Sequence, residues 1–86
     1  MDKYDYIFRW LKKGTKEDRH IAEMESFAKK HPIIFMRFHK NSRIIVENNE
    51  DDEKYIKAKS ELEKLFDDNI DSFSPVFEAV KNKFNY

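Results

Sequence analysis

The chain has 86 residues, 17 basic and 17 acidic side chains, one glycine and no cysteine. That is enough chain for one small domain, 1–86, and too little for two. The missing cysteines exclude a disulfide framework or a thiolate metal site, and the single glycine excludes Gly-rich phosphate loops.

Tyr4, Ile7, Phe8 and Leu11 recur at helical spacing and predict an amphipathic helix over about 3–13. Gly14 is placed to end it as a left-handed C-terminal residue. Thr15 can cap a second helix over about 16–30, with Glu17 and Asp18 near its positive end. Ile21, Met24, Phe27 and Ala28 form the apolar stripe of that helix, and Pro32 closes it. The two helices are expected to form an αα-hairpin.

From Ile33 the apolar period reads as 2 rather than 3.6. Ile34, Met36 and Phe38 alternate with Ile33, Phe35 and Arg37, and a β-branched run, Ile44-Ile45-Val46, follows a polar stretch. This predicts a β-hairpin over about 33–47. Pairing Phe38 with Ile44 and Met36 with Val46 gives one fully apolar face, and a one-residue slip would destroy it. The tip is then the loop from Lys40 to Ser42. Tyr55, Ala58, Leu62, Leu65 and Phe66 predict a helix over about 52–67. Phe73, Val76, Phe77, Val80 and Phe84 predict a last helix over about 72–84, with Ser74-Pro75 or Asp71 at its start. The expected fold is α+β in the order ααββαα.

Chemical signatures are sparse. His20 and Glu23 lie three apart on the second predicted helix, but a second ligand pair to complete a metal site is missing. The cluster Glu47, Glu50, Asp51, Asp52 and Glu53 lacks the alternating oxygens and central glycine of a calcium loop and reads as a solvated, helix-capping link. No serine sits in a nucleophile elbow. Neither an enzyme nor a cofactor nor a small-molecule substrate is expected. The run Ile33-Ile34-Phe35-Met36 is too short to span a bilayer. With no cysteine and no apolar N-terminal segment, the expected compartment is the cytoplasm.

Charge is unevenly distributed. Residues 1–43 hold eleven basic and six acidic side chains, and residues 44–86 hold six and eleven. The two halves can pair internally, or the basic half can meet an acidic partner. Two helices followed by a hairpin share the order, and only the order, of the helix-turn-helix and wing of winged-helix DNA binders. A nucleic-acid interface would draw on Lys12, Lys13 and Arg19 from the helices and Arg37, His39, Lys40 and Arg43 around the hairpin. Zero net charge and the acidic residues of the second helix weigh against it. The favoured expectation is a non-enzymatic interaction or regulatory module that self-associates, since an uncovered hairpin edge can pair with a second copy. Tyr6, Trp10 and Tyr86 are either exposed partner anchors or rings packed at the core boundary.

Overall fold

The computed structural model describes residues 3–84, and those residues contain helices and no strand. The order is α1 (Asp5–Lys12), α2 (Lys16–Arg19), α3 (Ala22–Lys30), α4 (Pro32–Glu47), α5 (Glu53–Asp68) and α6 (Ile70–Phe84). The expected α+β fold is therefore corrected to all-α, and the segment read as a hairpin over 33–47 is one long helix. None of the six is long and apolar enough to cross a membrane.

Local chemistry explains why α4 forms. Pro32 occupies its first turn, where a missing N–H costs nothing and φ is already helical. The same proline separates α3 from α4, because His31 before it adopts φ −133° and ψ 66°. Phe38, Ser42 and Ile45 are buried and Ile34 is half-buried, at spacings of four, four and three. That is one helical face. The turn-forming tendency of Asn41 is absorbed inside the helix, where its side-chain amide donates to the Arg37 carbonyl at 3.0 Å. A helix satisfies its own backbone, whereas a lone two-stranded hairpin leaves two edges unpaired.

Other expectations shift by smaller amounts. The predicted helix over 16–30 is broken at His20 and Ile21, both extended, which drives the Ile21 side chain into the core. Thr15 does cap α2: its Oγ1 accepts from the Asp18 amide at 3.2 Å. Gly14 is not left-handed; α1 ends instead at an extended Lys13 whose amide reaches the Trp10 carbonyl. Asp52 caps α5 by accepting from the Lys54 amide at 2.8 Å. The last helix starts at Ile70, so Pro75 lies inside it rather than at its first position. Asn69 makes that earlier start possible. Its amide bonds back to α5, while its carbonyl accepts from Ser72 at 3.0 Å and Phe73 at 3.1 Å.

All six helices but α2 contribute to one aromatic core. Phe66 is its hub, with the rings of Tyr4, Phe73 and Phe77 at 5.0 Å and those of Phe38 and Phe8 at 6.0 and 6.4 Å. Burying each such ring contributes about 1.5–3 kcal/mol, and edge-to-face pairs add roughly 0.5–1.5 kcal/mol. Trp10 belongs to this core and Tyr6 is half-buried against it; Tyr86 lies outside the described residues. The most extensive packing is between α4 and α5, with the small side chains Ser42 and Ala58 buried there.

Candidate interaction surface

With one face of α4 committed to the core, Ile33, Met36, Arg37 and Lys40 are exposed away from it, and half-buried Ile44 lies at its border. Their spacings of three, four, seven and eleven from Ile33 place them in a single stripe. Ile33 is 72% exposed and Met36 is 70% exposed, the two highest values among the large hydrophobic residues described. Single exposed apolar residues are ordinary, but these two sit together on α4, each one turn before a groove residue, Arg37 or Lys40.

The groove runs between α4 and α5. It has a volume of about 480 Å³ and is walled by Arg37, Lys40, Asn41 and Ile44 on one side and Lys54, Lys57, Ala58 and Glu61 on the other. Lys54, Lys57, Ala58 and Glu61 share a face of α5 through spacings of three, four and seven. Asp52 starts that helix early enough to bring both lysines opposite Arg37 and Lys40. Among the described residues none of these four cations forms an ion pair. Four unpaired positive charges against one carboxylate make a local field that attracts anionic groups. A smaller recess continues past Arg37 and Asn41 to Lys64 and Asp68, where the sign becomes mixed.

The residues singled out from the sequence fall in several places. Arg37 and Lys40 share the groove just described. Arg43 is on the same helix, but its Nε donates to Glu47 Oε1 at 2.9 Å. His39 faces elsewhere, stacked on Phe35 at 6.0 Å, and together with Arg19 lines a separate cavity at Trp10. Lys12 is half-buried, donates to the Asn48 carbonyl at 2.7 Å and lies 5.1 Å from the Tyr55 ring centroid. That bond satisfies the carbonyl end that follows α4, a structural role. Lys13 sits over the Phe84 ring at 5.6 Å. A wing bearing Lys40 and Arg43 does not exist, since both lie within α4.

Lys54 and Lys57 were not singled out by sequence because they lie in the acidic half. The signal was available in their spacing on α5. As strand residues Ile33 and Met36 would point to opposite faces; on α4 they are exposed together. Among the described residues no three His, Asp or Glu side chains gather as metal ligands. His20 lies outside both neighbouring helices and faces Glu25 at 3.8 Å, while Glu23 is 3.7 Å from Lys83. Comparison with protein-family models, curated proteins and solved structures yields no match to this chain.

Proposed function

We propose that this protein is a non-enzymatic interaction module of the cytoplasm that docks an acidic, amphipathic helix of another protein on α4 and the α4–α5 groove. The observation that carries this reading is a groove walled by four unpaired cations, with exposed Ile33 and Met36 outside it on α4, one helical turn before Arg37 and Lys40. An apolar stripe flanked by positive charge complements a helix with apolar anchors and acidic flanks, the helix-in-groove mode of recognition. Nucleic acid complements the cations but gains little from Ile33 and Met36, and no exposed aromatic ring lines the groove for base stacking. The edge-to-edge dimer loses its physical basis, because the hairpin that supplied the edges is α4.

The test is fluorescence anisotropy with a labelled peptide carrying leucines on one helical face and glutamates on its flanks. Micromolar binding is expected, weakening as salt rises through the range where the Debye length falls to roughly 8 Å. Ile33→Ser and Lys54→Glu should each weaken it about tenfold, equivalent to ~1.4 kcal/mol, while leaving the thermal midpoint unchanged. An unchanged anisotropy, or equal binding by Ile33→Ser, overturns the proposal. So does a preference for an oligonucleotide over the peptide. Sedimentation showing a dimer that Met36→Glu dissociates would reassign the surface to a second copy.

A further inference from the structure

A second cavity, sharing no residue with the α4–α5 groove, lies where α1, α3 and α4 meet the turn of α2. It has a volume of about 270 Å³. Its inner lining is apolar: Trp10, Ile21 and Phe38 are buried, and Met24 and Phe35 are half-buried. Its rim carries two cations, Lys16 and Arg19, beside the imidazoles of His20 and His39 and one carboxylate, Glu25, which lies 3.8 Å from His20. Lys16 forms no ion pair among the described residues. Arg19 uses only its Nε, donating to the Thr15 carbonyl at 3.4 Å, so the two terminal nitrogens of its guanidinium have no acceptor there.

Trp10 adds an independent observation. Its indole nitrogen is buried and has no hydrogen-bond partner among the described residues. Buried donors are nearly always paired, and indole N–H groups in particular find an acceptor. The Trp10 ring lines the cavity while its nitrogen lies behind that lining. The nitrogen itself has no solvent exposure, so a ligand's acceptor meets it only if the lining moves.

We propose that this cavity binds a small aromatic carboxylate. The apolar lining takes the ring, by contact with Trp10, Phe35 and Phe38. A carboxylate has two oxygens, enough to meet Lys16 and Arg19 on the rim together. Arg19 is the better rim partner, since a guanidinium grips a carboxylate with two parallel hydrogen bonds. The volume falls just below the usual range of ligand sites, about 300–1,000 Å³, so a single ring is the fitting size.

Benzoate is the probe, with benzamide as its uncharged counterpart and inorganic phosphate as an anion without a ring. Trp10 is the only tryptophan in the chain, so its fluorescence and its indole N–H resonance report on this site alone. Benzoate should give a saturable change in both, and benzamide and phosphate should bind at least tenfold more weakly. Arg19→Gln combined with Lys16→Gln should weaken benzoate at least tenfold while barely moving the thermal midpoint, since Lys16 is exposed and Arg19 only half-buried, on one long bond. No saturable change with benzoate overturns the proposal, as does phosphate binding equally well or the double variant keeping full affinity. The double variant should bind the acidic helical peptide like the parent protein, so failure here is distinguishable from failure at the groove.

Discussion

Tyr4 and Asp67 tie the first helix to the end of the fifth through a contact 63 residues apart in sequence. The Tyr4 hydroxyl donates to Asp67 Oδ1 at 2.5 Å, and Lys3 Nζ lies 2.7 Å from the same oxygen. Burial, then the bond to Asp67, pushes the Tyr4 phenol up from near 10 to about 12. The neutral phenol is thus favoured by the fold. Its contribution is complete below pH ~10 and is lost as pH climbs toward 12. The Asp67 carboxyl is held below its ordinary value, first by Lys3 and then by Tyr4. Its contribution is present above the ordinary carboxylate range and disappears as pH falls through its lowered value. Chemical denaturation across pH should therefore show stability falling at both ends. Asp67→Asn should flatten the acid limb, and tyrosinate absorbance should rise late, with unfolding. At Gly14 no positive φ is required, and an added Cβ would meet nothing within 4 Å. Gly14→Ala should raise stability by about 0.4–1 kcal/mol, chiefly by restricting the unfolded chain; a loss in urea titration would refute this.

At the scale of elements, α4 shows where sequence reasoning succeeds and where it stops. Helices α1, α5 and α6 announce themselves through apolar residues three and four apart, and the stripe Tyr55, Ala58, Leu62, Leu65 and Phe66 is buried as its spacing demands. Ile34 and Phe38 are four apart, which puts them on one face of a helix and equally on one face of a strand. Met36, between them, distinguishes the two: inward in a strand, outward in a helix. β-branched residues and the Asn41-Ser42 pair tilted the reading to a hairpin, and packing against α5 overrode that local preference. The candidate surface was half legible for the same reason. Arg37 and Lys40 are plain in the sequence, but their union with Lys54 and Lys57 depends on a helix pairing that spacing alone cannot supply. Helix α6 carries a second conflict. Pro75 removes a backbone donor inside the helix and its exposed ring contributes no core. Pro75→Ala should stabilise the protein by roughly 1–3 kcal/mol, read as a rise in thermal midpoint of several degrees.

The whole molecule has a radius of gyration of 12.1 Å, close to the ~12 Å expected for a compact chain of this length. A domain this small has little stability in reserve, about 4–13 kcal/mol by the usual per-residue figure. Rings from α1, α4 and α6 converge on Phe66, which is fully buried. Phe66→Ala should cost about 3–5 kcal/mol, a large share of the total, and lower the urea midpoint sharply. Phe66→Leu should retain a cooperative transition, because it keeps more of the buried volume. A shallow loss with Phe66→Ala would mean that the core is divided rather than centred on this ring.

Met36, turned to solvent on the outer face of α4, also exposes a thioether to oxidants. Conversion to the sulfoxide turns an apolar anchor into a polar, hydrogen-bonding one while leaving the fold's own core intact. Peroxide treatment should therefore abolish docking of the acidic helix without lowering the thermal midpoint, and reductase treatment should restore it. Met36→Leu should bind the same peptide and ignore peroxide. The residue that separates helix from strand in this segment thus also makes the surface sensitive to oxidative damage, and reversibly so.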